Sequence, residues 1–204
     1  MNQRSADKLT ANLEQQIKFI IEADKLKGIL RKTSPIGEQR KENSAEHSWQ
    51  VMLSALVLVE HANQEVNILR VLKMLMIHDL VEIDVGDTLH YNKSSSTYEN
   101  ETIAARRIFG ILPDKQGEEF LSLWKEFEAK ETDDAKFATS VDRLMAFIMN
   151  SNNNGGSWKE LELSAEQVIR KNESILEGAT LIWSLAAQLI TEAVEKGYLK
   201  NDTN

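Results

Sequence analysis

Apolar residues recur at intervals of three and four along most of this chain, the spacing of one face of a helix. Leu9, Leu13, Ile17 and Ile20 form such a stripe, extended by Leu26, Ile29 and Leu30, so residues 9–31 are read as a first helix. The run Thr33-Ser34-Pro35-Ile36-Gly37 breaks it, and a charged loop follows to Glu42. Asn43 then stands as an N-cap with Glu46 three residues on, the spacing of a capping box. The helix it opens, from Glu46 to about Ala62, is apolar nearly all round between Val51 and Val59, as expected of a helix at the centre of a bundle. Residues 67–85 predict another apolar helix that stops at Gly86.

A polar stretch from Asp87 to Asn100 is expected to be a mobile loop. Helices are predicted near 99–110 and 116–130, and a strong one over 133–150, where Phe137, Val141, Leu144, Met145 and Ile148 fall at helical spacing. The run NSNNNGGS (150–157) is a flexible connection, and a short helix is expected near 164–171. The last helix, about 173–197, carries Ile175, Ala179, Ile182, Ala186, Leu189 and Ala193 in a coiled-coil-like seam. That seam is expected to pack inside the bundle, with a subunit interface as the second choice. With no strand alternation and no tandem repeat, the fold class is all-α: one helical bundle over residues 1–204, of roughly seven or eight helices.

Composition narrows the setting. A chain of 204 residues with two Pro, nine Gly and 42% hydrophobic residues suits one helical domain with a sizeable core. It has no cysteine, so no disulfide, thiol nucleophile or Cys-ligated zinc is available. The first residues, MNQRSADKLT, lack the apolar core of a signal peptide, and the apolar runs are too short to span a bilayer. A soluble cytoplasmic protein without membrane partners is the expectation. The net charge of −8, with no cluster of Lys and Arg, argues against nucleic-acid binding. The same charge offers no long-range attraction to an anionic small molecule, so a phosphate-bearing substrate must be held by local cations or a metal.

Candidate chemistry centres on His78-Asp79 in the run HDLVEIDVGD. Glu82 lies one helical turn beyond His78, and Gly86-Asp87 closes the segment. His47 sits in the first turn of the second apolar helix, and Asp142 shares a face with Ala135, Ala138, Met145, Ala146 and Met149. A lone Asp at such a position would cost roughly several kcal/mol in burial unless paired or bound to a cation. Taken singly, each residue has a plainer reading: a hydrogen-bonded core histidine, Asp79 paired with an arginine elsewhere, or Asp142 paired near Arg143 or with Arg106 or Arg107. Taken together, two His and two Asp from three helices form a mixed N/O ligand set with positions left open for water.

These residues resemble the pattern of the HD-domain metal-dependent phosphohydrolases: His, then His-Asp, then Asp on a helical bundle, matched here by His47, His78-Asp79 and Asp142 in order and spacing. The stretches ENSAEHSWQV, HDLVEIDVGD, ETIAARRIFGILP and AKFATSVDRLMAF are similar to the branch of small HD proteins related to 5′-deoxynucleotidases and oxetanocin-type phosphohydrolases. The similarity covers about residues 13–150, taken as the metal-site core, with the helices of about 160–197 packing on it. The resemblance implies one divalent transition metal held by His47, His78, Asp79 and Asp142. Imidazole ligands favour Mn, Co, Fe, Ni or Zn over Mg. No His follows His90, where two-metal relatives carry further ones, so a mononuclear site is expected.

By the same resemblance, Glu82 and Asp87 handle the protons of water and leaving group, and Arg31 contacts phosphate. The plainer readings are a solvated helix-end charge, a turn residue and a surface Arg favourable at a helix C-terminus. Lys32 stands where the deoxynucleotidases carry an aromatic residue near the sugar, so deoxyribose selectivity is not implied. His61 is read as a surface or capping group, His90 as a candidate pocket residue, and Trp49, Trp124, Trp158 and Trp183 as core or interface aromatics. The expected activity is phosphate removal from nucleoside 5′-monophosphates by a homodimer. The alternatives are another phosphate ester (a cyclic nucleotide or guanosine polyphosphate), or a non-catalytic dimerising module with a structural metal.

Overall fold

The protein, a computed structural model, is described over residues 3–87 and 95–201. Its helices in chain order are α1 (Gln3–Ala23), α2 (Ser44–Leu58), α3 (Ile68–Ile77), α4 (Glu82–Val85), α5 (Ser95–Phe109), α6 (Asp114–Ala129), α7 (Asp133–Asn152), α8 (Gly156–Glu160), α9 (Ala165–Asn172), α10 (Ile175–Gly178) and α11 (Thr180–Glu195). Among the described residues there is no strand, and the only β pairings are two isolated bridges. The all-α expectation holds, with more and shorter segments than the periodicity suggests.

α7 is the axis of the molecule. Thr132 caps it by accepting from the Ala135 N–H at 3.2 Å, and Asp133 and Asp134 favour its positive end. Its buried residues include Phe137, Ala138, Val141, Leu144, Met145, Phe147 and Met149, and α2, α3, α6, α10 and α11 pack around it. α10 comes closest. A Cβ on Gly178 would lie 2.3 Å from the Lys136 carbonyl oxygen and 2.5 Å from Ser140 Oγ. Gly178→Ala should therefore cost about 1–3 kcal/mol by overpacking, a fall in Tm of about 2–12 °C for a chain of this size. Calorimetry checks it, and an unchanged Tm would contradict the packing.

Asn43 caps α2 as expected. Its side chain accepts from the N–H groups of Ala45 and Glu46 at 3.1 and 3.0 Å, and the Glu46 carboxylate accepts from the Asn43 N–H at 2.7 Å.

Several boundaries differ from the sequence reading. The first helix ends at Ala23, and residues Asp24–Gly28 tighten into a 3₁₀ turn. Residues 29–33 then run beside 42–44, joined by a single bridge between Leu30 and Asn43. Ser44 N–H donates to Ile29 O (3.0 Å), Arg31 N–H to Glu42 O (2.9 Å), and Glu42 N–H to Thr33 O (3.1 Å). Arg31 thus lies on this paired segment and not at a helix end. The stripe Leu9, Leu13, Ile17 and Ile20 is exposed, because α1 turns a different side, including Phe19 and Ala23, toward the core. α2 is buried on one face only, through His47, Ser48, Val51 and Ala55; Trp49, Leu53, Leu56 and Val57 face outward. Apolar residues all round a helix record hydrophobicity, not what covers it.

The final helix breaks at Ala179, which adopts an extended conformation between α10 and α11. In the seam, Ile175, Ala179, Ile182, Ala186 and Ala193 are buried inside the bundle, the first of the two expectations, and Leu189 is half-buried against them. α5 begins at Ser95, earlier than expected. The rest of the expected loop, with His90, lies outside the described residues. No described helix is long and apolar enough to cross a membrane.

Candidate metal centre

The helix that carries the His-Asp pair changes pitch where the chemistry sits. α3 ends at Ile77, and His78–Val81 form a 3₁₀ turn before α4, which Gly86 closes at φ +75°. In a 3₁₀ turn residues three apart eclipse each other. Asp79 and Glu82 therefore share a face, and both reach Arg31 Nη1, at 2.8 and 3.9 Å. The sequence reading, based on an uninterrupted α-helix, paired Glu82 with His78 instead.

His78 is buried and oriented by its own helix. Its Nδ1–H donates to the Leu75 carbonyl at 2.8 Å, which leaves Nε2 as the free ring nitrogen. That nitrogen is buried with no hydrogen-bond partner, while Asp79 Oδ1 lies 3.1 Å away and Asp142 Oδ1 3.7 Å away. His47 approaches from α2, its Nε2 2.9 Å from Asp142 Oδ1 and 3.9 Å from Asp79 Oδ2. Ligand atoms of His47, His78 and Asp79 all lie within 4.8 Å of one another. The four residues singled out in the sequence are thus brought together from α2, the 3₁₀ turn and α7.

Electrostatics bind the cluster. Burial pulls the His78 pKa down, but the Asp79 and Asp142 carboxylates outweigh it and raise the group to about 9. Burial disfavours the charge of Asp142, yet the hydrogen bond from His47 and the nearby His78 ring, 3.7 Å away, hold its carboxyl well below the usual carboxylate range. The plainer pairing of Asp79 with an arginine is formed, with Arg31 at 2.8 Å, whereas that of Asp142 with Arg107 is not: Arg107 bonds Asp84 at 2.5 and 2.6 Å and Glu22 at 2.8 Å.

Glu82 is buried, and its Oε2 accepts from the Ser44 hydroxyl at 2.6 Å. Burial, followed by the charge of Asp79, pushes its pKa up to about 9 against the opposing pull of Arg31 and Ser44. Asp87 is also raised, chiefly by burial, with Arg31 opposing. Arg31 is held between Asp79, Glu82, Asp87 and Glu42, far from the surface Arg of its plainer reading.

Glu42 escaped the sequence reading. The composition around it predicts a polar loop, yet it is 1% exposed and touches both Arg31 and His47. It precedes the N-cap of α2, a position where an apolar staple residue is usual, and a carboxylate there was the available signal. Ser44 was missed as well. Trp49, read as core or interface and near the site, points outward at 62% exposure, whereas Trp124 and Trp158 are buried. Beside the cluster opens a cavity of about 170 Å³, lined by Arg31, Lys32, Thr33, Glu82, Asp87 and Trp158 among others.

The sequence matches the HD domain family over residues 23–183. It is 27% identical over 116 residues to the 5′-deoxynucleotidase HDDC2 of Bos taurus, covering 55% of each chain. It is 29% identical over 112 residues to the HDDC2 protein of Danio rerio, covering 54% of each. The alignments thus span about half the length of the curated relatives. A crystal structure described as a predicted metal-dependent phosphohydrolase from Magnetospirillum magnetotacticum MS-1 superposes with a TM-score of 0.88 at 43% identity, covering 93% of this chain and 98% of that one. The PH0347 protein of Pyrococcus horikoshii OT3 shares the fold, with a TM-score of 0.60 at 22% identity. With the motif residues gathered at one buried point and the match running over most of its length, this chain belongs to the HD domain family.

Proposed function

We propose that this protein is a metal-dependent phosphomonoesterase that releases phosphate from nucleoside 5′-monophosphates. The single observation that carries the reading is the buried, unpartnered Nε2 of His78 facing Asp79 and Asp142 beside His47. A buried polar nitrogen without a hydrogen-bond partner is costly in an interior, and two imidazoles with two carboxylates suit a divalent transition ion. His47, His78, Asp79 and Asp142 would hold it. When bound, the ion supplies Lewis acidity, offsetting phosphoryl charge and making an attacking water more acidic. The relatives named 5′-deoxynucleotidases, and the neighbour described as a phosphohydrolase, support this chemistry.

The chain's own residues do the rest. Arg31 presents its guanidinium to the phosphate oxygens, a bidentate match for that group. Glu82, with Oε2 occupied by Ser44, offers Oε1 to the water and takes its proton as oxygen attacks phosphorus. The charge of Asp79, which raises Glu82, is one that a bound cation neutralises, favouring the proton-accepting form. As the bond from phosphorus to the sugar O5′ breaks, Asp87 gives its proton to that oxygen. Lys32 lines the cavity beside Arg31, so both ribose and deoxyribose substrates belong in any test.

Purified protein supplied in turn with Mn, Co, Ni, Zn and Mg, and assayed for phosphate release on ribo- and deoxyribonucleoside monophosphates, tests the reading. Turnover of a cyclic nucleotide or guanosine polyphosphate alone would replace it. Arg31→Ala should raise KM about 10-fold or more, and Arg31→Lys should recover only part of it, because an ammonium lacks the planar fork. Equal KM values in all three would remove Arg31 from phosphate binding. We also propose a cytoplasmic homodimer. The exposed apolar stripe of α1 and outer face of α2 accord with self-association, which sedimentation measures.

A further inference from the structure

One oxygen, Glu42 Oε1, stands at the meeting point of three groups. It accepts from the Thr33 hydroxyl, lies 3.3 Å from Arg31 Nε, and lies 3.7 Å from His47 Nδ1. Arg31 continues the chain of contacts through Nη1 to Asp79 Oδ2 at 2.8 Å, and His47 Nε2 lies 3.9 Å from the same oxygen. Glu42, Arg31, Asp79 and His47 therefore close a ring in which Glu42 is the member farthest from solvent, at 1% exposure. Its backbone is fixed as firmly as its side chain. The pairing of 42–44 with 29–33 ties Glu42 to Arg31 and Thr33, and the Asn43 cap ties it to the helix bearing His47.

We propose that Glu42 is a positioning residue that couples the phosphate-binding Arg31 to the metal ligand His47. A ligating imidazole is aimed and made a better donor when a carboxylate faces its other nitrogen. Here that nitrogen is Nδ1, buried with no other hydrogen-bond partner, so a contraction from 3.7 Å to hydrogen-bonding distance is all that is required. Toward Arg31, the same carboxylate lies 3.3 Å from Nε, which has no hydrogen-bond partner, and this charge pairing leaves Nη1 to turn from Asp79 to phosphate. Loss of the Glu42 charge therefore acts on His47 as well as on Arg31, whereas loss of Arg31 leaves the carboxylate facing His47 Nδ1 in place.

This inference rests on the proposed metal site, and its test separates the two. Glu42→Gln keeps the volume and removes the charge. Calorimetric titration with Mn²⁺ should show affinity falling about 10–100-fold, with KM rising as well. Arg31→Ala should raise KM and leave the Nδ1 proton of His47 in place. In the Zn²⁺-loaded parent, nitrogen NMR should show His47 protonated at Nδ1 in slow exchange, a signal shifted or lost in Glu42→Gln. If Glu42→Gln reproduces Arg31→Ala, with Mn²⁺ affinity and the His47 signal unchanged, Glu42 is only a counter-ion and the coupling is refuted. Should Glu42→Gln fail to fold, Glu42→Asp retracts the carboxylate by one methylene, and the same outcomes decide. Phosphate release by the parent is read independently, so a failed coupling leaves the phosphatase reading intact, and a parent that binds neither ion refutes both.

Discussion

Glu82→Gln will release phosphate about 10²–10⁴-fold more slowly than the parent, the range expected when a positioned proton acceptor is lost, while still binding the metal. The amide is the size of the carboxylate, and its oxygen can still accept from the Ser44 hydroxyl that now bonds Oε2 at 2.6 Å. The buried position is thus filled and its hydrogen bond kept. What disappears is the capacity to take a proton from water. Asp87→Asn should differ in kind. If Asp87 protonates the sugar oxygen, its loss should matter less on an aryl phosphate, whose leaving group needs no proton, than on a nucleotide. Glu82→Gln should be equally slow on both. A Glu82→Gln enzyme as fast as the parent would remove Glu82 from the chemistry. An Asp87→Asn defect of equal size on both substrates would take the leaving-group role from Asp87.

Much of this centre could be read in advance, and the reason is local chemistry. His47, His78, Asp79 and Asp142 are polar groups on helix faces otherwise given to core residues, so each marked itself as needing a partner. The Asn43 capping box was legible for the same reason, since a cap is written within four residues. Features that depend on distant segments were not. The pairing of 29–33 with 42–44 leaves no periodic trace, so Arg31 was placed at the end of a helix and Glu42 in a loop. The 3₁₀ turn at His78–Val81 changes which residues eclipse, and only the folded chain shows that Asp79 and Glu82 share a face toward Arg31. The stripe of α1 was visible as a stripe, but periodicity cannot say whether a face is covered.

Adding Mn²⁺ or Co²⁺ to metal-free protein at about a hundred times Kd should stabilise it by about 2.7 kcal/mol, a rise in Tm of about 5–10 °C for a chain of this length. The cause is the concentration of negative charge. Asp79, Glu82, Asp87 and Asp142 gather around Arg31 and two histidines, and burial with mutual repulsion lifts Glu82 and Asp87 above their ordinary values. A divalent cation relieves that repulsion in the folded state alone, because the unfolded chain does not assemble the site. Mg²⁺ should shift Tm less, since it prefers oxygen ligands and sheds water reluctantly. His78→Ala removes the orphaned Nε2 and should abolish most of the shift, whereas Arg31→Ala, which removes no ligand, should preserve it. A His78→Ala protein stabilised as much as the parent would mean that the ion binds elsewhere. A parent stabilised by metal yet inert on every phosphate ester would leave the cation a purely structural part, and Glu82 and Asp87 without a reaction to serve.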